Sequence, residues 1–241
     1  MMLAAVFSDV HSNLPALEAV LGDAVGQSVD FMVCCGDLVG YGPFPNEVID
    51  AVREIPTVMG NYDEGVGYGL DDCGCAFMSA EEEEVGMISL EWTKEHVSDI
   101  NKAFLRGLPR EIRRSVDGLE VLFVHGSPRR INEYLYEDRP ESSLMRMLKP
   151  LGVDCLVMGH THLPYHRVVE GFHFVNVGSV GKQKDGNPSA RYALIDFTGD
   201  ISVEFRRVSY PIDDTINALM DSGLPIDLVE IFRTGGKKPV L

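Results

Sequence analysis

The sequence predicts an α/β protein in which two mixed sheets pack face to face with helices outside. Two observations lead there. From Leu3 to Met59 apolar strands alternate with helical patterns, whereas from Glu111 onward the strands come mostly as hairpins. In addition, several of the strand patterns are apolar on consecutive residues, as expected when both faces of a strand are covered.

Leu3 to Phe7 is the first buried strand, and it ends in Asp9-Val10-His11. Asn13 stands where a helix N-cap belongs, with Pro15 in the first turn. Leu14, Leu17, Leu21, Ala24 and Val25 follow at helical spacing. Asp30 to Cys35 is a second strand, closed by Gly36-Asp37. Residues 39–43 form a Gly/Pro loop, and Pro45 to Glu54 a helix with Val48, Ile49 and Val52 inward. Pro56 to Met59 is expected as a short third strand ending in Gly60-Asn61-Tyr62-Asp63.

The stretch 65–108 differs in character and is expected as a helical insertion over the sheet, within a single domain spanning 1–241. Gly65 to Gly74 reads as glycine-rich loop. Ser79 is an N-cap candidate with Glu81 to Glu84 in the first helical turns, where the dipole favours anions. Ser89 to Leu105 is one or two helices, with Leu90, Trp92, Val97, Ile100, Phe104 and Leu105 as core candidates, ended by Leu108-Pro109.

Glu111 to Val116 and Leu119 to Val124 flank Asp117-Gly118, a strong hairpin signal. His125-Gly126-Ser127-Pro128 follows, then a loop carrying Arg129 and Arg130, then a helix near Glu141 to Lys149. Asp154 to Met158 is a buried strand ending in Gly159-His160-Thr161-His162. Pro164 to Val169 pairs with Phe172 to Val177, and Arg191 to Phe197 with Ile201 to Val208; a Gly/Ser/Lys loop, 178–187, lies between the hairpins. Helices are expected over Pro211 to Ser222 and Pro225 to Arg233, and a frayed tail over Gly235 to Leu241.

Composition narrows the function. The formal net charge is −16, and the long-range field of such a chain repels nucleic acid and anionic membrane surfaces. A phosphorylated small substrate stays compatible, because bound divalent cations reverse the sign locally. No apolar run approaches the roughly 18 residues of a membrane span. Five cysteines without a paired framework read as reduced thiols of a cytoplasmic protein. Nothing in the pattern sets an oligomeric state.

The chemistry sits at the strand ends. Asp9, His11, Asp37, Asn61, His125, His160 and His162 are all metal ligands by type, and all are predicted at one sheet edge. Taken singly, Asp9-Val10-His11 is compatible with helix capping, and Gly36-Asp37 or Gly60-Asn61 with a plain turn. Jointly they exceed what one ion needs and suit two ions sharing a carboxylate, which two-metal hydrolases place about 3.5–4 Å apart. Mixed oxygen and nitrogen donors favour transition metals: manganese first, then iron, zinc or nickel. Tyr41, Arg129 and Lys182 are candidates for substrate contact, and Cys73-Gly74-Cys75 reads as two loop thiols.

In the order D-x-H, GD, GN, HG, GHTH, these motifs resemble the calcineurin-like metallophosphoesterases. The match runs from Asp9 to His162, and Asn176 to Asp196 resembles the small bacterial and archaeal members. The resemblance implies a four-layer α-β-β-α sandwich of two mixed sheets flanked by helices. It implies that Asp9, His11 and His162 hold one ion, that Asn61, His125 and His160 hold the other, and that Asp37 bridges them. It further implies a metal-dependent phosphoric ester hydrolase with His125 and Asp37 in the catalytic centre, attacking phosphorus with a hydroxide shared by the two ions. One position departs: the family's GNH motif is Gly60-Asn61-Tyr62 here, so Tyr62 stands where the leaving-group acid is usual. A phosphodiesterase or phosphoanhydride hydrolase is therefore expected ahead of a monoesterase or protein phosphatase. A non-catalytic protein-binding scaffold is the alternative of another class, which loss of ligands would favour.

Overall fold

In a computed structural model, residues 2–76 and 79–236 are described. One sheet has strand order β2-β1-β8-β9, formed by β1 (Leu3–Phe7), β2 (Phe31–Cys34), β8 (Ala190–Asp196) and β9 (Ser202–Val208). The other runs β3-β4-β5-β7-β6, with β3 (Glu111–Val116), β4 (Leu119–Val124), β5 (Cys155–Met158), β6 (Tyr165–Val169) and β7 (Phe172–Asn176). Both are mixed: β1 is parallel to β2 and antiparallel to β8, while β5 is parallel to β4 and β7.

Side-chain alternation along the strands builds the layers. Ala4 and Val6 of β1, Val121 and Phe123 of β4, and Cys155 and Val157 of β5 meet in one apolar cluster between the sheets. The intervening Ala5 and Phe7 turn outward into a second cluster with α1 (Leu14–Gly26), α2 (Pro45–Ala51), α7 (Ile212–Ser222) and α8 (Asp227–Thr234). Leu122, Val124, Leu156 and Met158 turn outward into a third, covered by α6 (Glu141–Leu148) and the short 3-10 turn Lys149–Leu151. The result is a four-layer α-β-β-α arrangement. It explains the consecutive apolar residues, since with both faces covered a strand needs no polar side.

Helix α1 starts where Asn13 predicts, with Asn13 Oδ1 accepting from Ala16 N at 3.3 Å. The same side chain reaches the Gly181 carbonyl and Tyr210, and accepts from Thr215 on α7. The stretch 65–108 contains the end of α3 (Asn61–Tyr68), α4 (Ala80–His96) and α5 (Asp99–Gly107), packed over the outer cluster. Ser79 caps α4 as expected. Ser98, accepting from Asn101 N, starts α5 and splits the two helices.

Four expectations change. Gly65–Gly74 is not all loop: Gly65 and Gly67 are buried in α3, where the missing side chains leave room for Leu90 and Leu105. Pro56–Met59 forms no strand of its own; it bridges β2 once, at Cys34 and Thr57, while Val58 enters the inter-sheet cluster. Ile100 is 75% exposed and Val25 69% exposed, because each lies about 100° around its helix from the buried residues beside it. In the tail, Gly235 ends α8 with positive φ, whereas 237–241 lie outside the described residues. No helix among the described residues is long and apolar enough to cross a membrane.

Candidate metal centre

The loops after β1, β2 and β5 deliver their donors through a left-handed backbone, whereas His125 after β4 does not need one. Of the ten non-glycine residues with positive φ among the described residues, seven are here: Asp9, His11, Ser12, Asp37, Tyr41, His160 and His162. L-residues pay roughly 1 kcal/mol or more for this region, and they hold it only where the surroundings over-determine it. The determinants are backbone hydrogen bonds between loops. Asp9, His11 and Ser12 donate to the carbonyls of Gly36, Asp37 and Leu38, and Val180 and Gly181 donate to Ser8 and Asp9. The loops meet closely enough that a Cβ at Gly159 would run into Ser8 and Asp9, and one at Gly60 into Asp37.

The seven predicted donors converge into two buried clusters. Asp9, His11 and His162 make one; Asp37, His125 and His160 make the other. Asn61 joins the second, its Oδ1 2.9 Å from His125 Nε2. Asp37 Oδ2 lies 3.4 Å from His125 Nε2 and 3.7 Å from His11 Nε2, which puts this oxygen between the clusters. Its Oδ1 is occupied by the Tyr62 N–H at 2.9 Å.

Outer partners aim the donors. The Nδ1–H of His11 donates to the Val39 carbonyl, that of His125 to Cys35, and that of His162 to Lys182. A carbonyl only accepts, so each ring turns its Nε2 inward. Asn61 Nδ2 donates to the Cys73 carbonyl and to Cys75 Sγ, both at 3.1 Å, leaving Oδ1 for the centre. Asp9 Oδ2 accepts from His160 N, while its Oδ1 is buried without a hydrogen-bond partner, 3.2 Å from His162 Nε2.

These donors fit divalent cations. Burial brings His11 and His160 down to about 3 and His162 well below its ordinary value, so these rings are neutral. The inward lone pairs of His11 Nε2 and His162 Nε2 crowd together at 3.2 Å, while His125 Nε2 and His160 Nδ1 lie 3.1 Å apart. Burial works against a charged His125, but the Asp37 carboxylate beside it outweighs this and raises the ring to about 9. Burial also works against the charge on Asp37, yet His125 and the other imidazoles hold it below the usual carboxylate range. A proton on His125 is thus the smallest cation that the second cluster accepts.

A cavity of about 440 Å³ opens over the clusters, and its wall includes His11, Asp37, His160 and His162. Tyr41 and Lys182 line it: Tyr41 meets the His11 ring edge-on at 5.0 Å, and Lys182 Nζ sits 4.3 Å from the Tyr41 ring centroid. Burial and the neighbouring Lys184 bring Lys182 down to about 7. Tyr62 lines it too. Its ring lies 5.4 Å from His11 and 4.9 Å from Tyr41, and its hydroxyl is buried without a hydrogen bond. Arg129 is placed elsewhere: it is tied to Glu133 and is not part of this wall.

Three residues that the motifs did not single out matter here. Tyr134 stacks on His160 at 4.0 Å and Tyr136 on Tyr134 at 5.8 Å, extending an aromatic wall to the cavity mouth. Asp63 accepts from Asp37 N, Leu38 N and Gly60 N at 2.8–2.9 Å, joining the Asp37 turn to the start of α3. Its signal is an acid three residues after the N-cap Gly60, where it accepts from the Gly60 N–H as the acidic half of a capping box does. The tyrosines carry no local signal, since only the fold brings their loop to His160. His166 and His173 face one another at 2.9 Å on the β6–β7 hairpin and belong to neither cluster.

Comparison with known proteins gives a consistent picture. A model of the calcineurin-like phosphoesterase superfamily domain matches residues 2–200. An uncharacterised protein of Methanocaldococcus jannaschii is 32% identical over 240 residues, covering 92% of this chain and 93% of its own. The crystal structure of a metallophosphoesterase from Sphaerobacter thermophilus is 33% identical with a TM-score of 0.78, covering 97% of this chain and 99% of that one. A hypothetical protein from Pyrococcus horikoshii superposes with a TM-score of 0.84 at 22% identity, over 99% of this chain and 100% of its own, and shows the shared fold.

Proposed function

Since this chain belongs to the calcineurin-like phosphoesterase superfamily, we propose that it is a cytoplasmic, dinuclear metal-dependent phosphoesterase acting on diesters or phosphoanhydrides ahead of simple monoesters. The observation that carries this reading is the placement of Asp37 Oδ2 between two buried donor clusters, with a tyrosine in the adjoining wall where a histidine is usual. Asp9, His11 and His162 would hold one ion; Asn61, His125 and His160 the other; Asp37 both. Manganese is the first choice, with iron, zinc or nickel as alternatives. When bound, such a pair supplies Lewis acidity and a water of lowered pKa.

The protein's own groups do the rest. The carbonyls of Val39, Cys35 and Lys182 fix three imidazole tautomers, so the donors are oriented before any substrate arrives. Lys182 places an ammonium group beside the centre of a strongly acidic protein. An incoming phosphate dianion stabilises its charged form and is in turn held by it. Tyr41, Tyr134 and Tyr136 offer flat apolar faces, which suits an ester carrying a planar group next to the phosphate. Tyr62 has no tendency to give up its proton, since burial holds it well above an ordinary phenol. Loss of donors would have favoured a scaffold role; all seven are present.

The test is a manganese-supplemented screen against bis-p-nitrophenyl phosphate, p-nitrophenyl phosphate, cyclic nucleotides and dinucleoside polyphosphates. Faster turnover of a diester or anhydride than of the monoester is expected. No turnover of any of them, or a clear preference for the monoester, overturns the proposal.

A further inference from the structure

We infer that Cys73 and Cys75 form a reversible disulfide whose closure loosens the Asn61 side of the metal centre. The two sulfurs are 2.9 Å apart in their reduced form. Gly74 lies between them with φ +66°, a turn that brings both side chains to one side. Its carbonyl is held by Asn132 Nδ2 at 2.9 Å, and a Cβ at Gly74 would run into that same amide. A disulfide needs sulfurs about 2.05 Å apart, so less than an ångström of approach closes the bond. Cys75 lines the cavity, whereas Cys73 is buried behind it. An oxidant therefore meets Cys75 first and Cys73 resolves the product. The other three cysteines, Cys34, Cys35 and Cys155, are fully buried in the core and do not line the cavity, so an oxidant there does not reach them.

The step balances with a peroxide as oxidant. Hydrogen peroxide transfers one oxygen to Cys75 Sγ, giving the sulfenic acid and one water. Cys73 Sγ then attacks that sulfur. The S–S bond forms, the S–O bond breaks, and the departing hydroxide takes the Cys73 proton as a second water. Peroxide is reduced by two electrons and the thiol pair oxidised by two. A low-molecular-weight thiol reverses the change by exchange.

The consequence lies in what Cys75 does while reduced. Its sulfur and the Cys73 carbonyl are the two acceptors that hold the Asn61 amide, and the Asn61 Oδ1 so aimed is 2.9 Å from His125 Nε2. Drawing Cys75 Sγ into a disulfide moves it off that amide. Loss of such an outer partner typically costs about 10–100-fold in metal affinity. The bond itself is independent of the proposed activity; only its consequence rests on the metal reading.

The test has two arms. Metal-free protein is treated with hydrogen peroxide, denatured, and its thiols counted and mapped by peptide mass spectrometry. Five thiols should fall to three, with Cys73 and Cys75 joined in one peptide that has lost two hydrogens, and dithiothreitol should restore five. Manganese affinity of the oxidised and reduced forms is then read from the free-ion signal in electron paramagnetic resonance, without any substrate. At least tenfold weaker binding at one of two sites is expected on oxidation, and no such change in Cys73→Ser. Absence of the Cys73–Cys75 peptide overturns the disulfide. A formed disulfide with manganese affinity unchanged within twofold overturns the coupling to Asn61.

Discussion

His11 Nε2 and His162 Nε2 face one another across 3.2 Å while the opposite nitrogen of each ring donates to a backbone carbonyl. Two inward lone pairs at that distance repel unless a cation lies against them. In the second cluster His125 Nε2 and His160 Nδ1 lie 3.1 Å apart beside the Asp37 carboxylate and Asn61 Oδ1, a donor set that a second cation would fill. Two divalent ions per chain are therefore expected in protein purified without chelator, by elemental analysis and by anomalous scattering from crystals. Because the donor sets are assembled only in the folded chain, saturation at about a hundredfold over Kd should stabilise it by about 2.7 kcal/mol per site. Chelation should accordingly lower the melting temperature by several degrees, and manganese should restore it. At most one ion after a manganese soak, with all donors intact, would contradict the paired centre.

Asp37→Asn should cost more activity than any other single donor change. Asp37 Oδ2 is within 3.7 Å of a nitrogen from each cluster, so its charge serves both ions and offsets their mutual repulsion. An amide keeps the shape and loses the charge. Turnover of one diester by Asp37→Asn, Asn61→Ala and His162→Ala at saturating metal decides the point. Near wild-type turnover by Asp37→Asn would remove the shared role.

Asp63 should be a stability residue of unusual weight. Its carboxylate is the acceptor for three buried N–H groups, on Asp37, Leu38 and Gly60. Leaving a buried donor unsatisfied costs about 1–3 kcal/mol each. Asp63→Ala should therefore lower unfolding stability by about 3 kcal/mol or more in urea titrations and weaken metal retention together with it. A midpoint unchanged from wild type would show that water replaces the carboxylate without cost.

Far from the centre, Asp23 gives a pH-dependent contribution. It accepts from Arg206 Nε at 2.7 Å and from Tyr192 Oη at 2.6 Å, and Arg206 foremost holds its carboxyl below the usual range. A depressed folded-state value means that this stability is present above the unfolded value, near 4, and is lost as pH falls through the folded one. The pair is partly exposed, which limits its worth to about 1 kcal/mol or less. Melting temperatures followed downward from pH 6 should fall more steeply for wild type than for Asp23→Asn. Parallel curves would exclude the linkage.

How far the sequence discloses this arrangement depends on where the cause lies. Asp9, His11, Asp37, His125, His160 and His162 follow apolar strands directly, so strand ends alone place them at one edge. Asn61 is different: it opens α3 rather than closing a strand, and a glycine-rich stretch hides that helix, because Gly65 and Gly67 are selected for close packing on Leu90 and Leu105 rather than for flexibility. The exposure of Ile100 shows the opposite error, in which an apolar residue at plausible helical spacing has no layer left to cover it. The aromatic wall of Tyr134 and Tyr136 comes from a long loop that only the folded sheet order brings over His160, and no local pattern encodes that.

The last expectation concerns Tyr62. Cleaving a P–O bond to an alkyl alcohol develops negative charge on a strongly basic oxygen, and a positioned acid there is typically worth roughly 10²–10⁴-fold. Histidine suits the task near neutral pH, with an ordinary value of about 6.5. Tyr62 is fully buried, its ring is 5.4 Å from His11, and burial holds its hydroxyl well above the ordinary phenol. It lines the cavity beside Asp37 and has a hydroxyl with no hydrogen-bond partner, so it can donate a hydrogen bond to a bound ligand but yields a proton poorly. Wild type should then favour leaving groups that need little protonation, namely aryl esters and anhydrides releasing phosphate. Tyr62→His should raise kcat/KM on alkyl esters by about tenfold or more while changing aryl esters little, within the range that general acids supply. The measurement is kcat/KM for both proteins across a series of aryl and alkyl phosphate esters, plotted against leaving-group pKa. A shallower slope for Tyr62→His supports the assignment. An identical slope would mean that position 62 does not reach the departing oxygen and that Tyr62 serves the site through its packing on His11 and Tyr41.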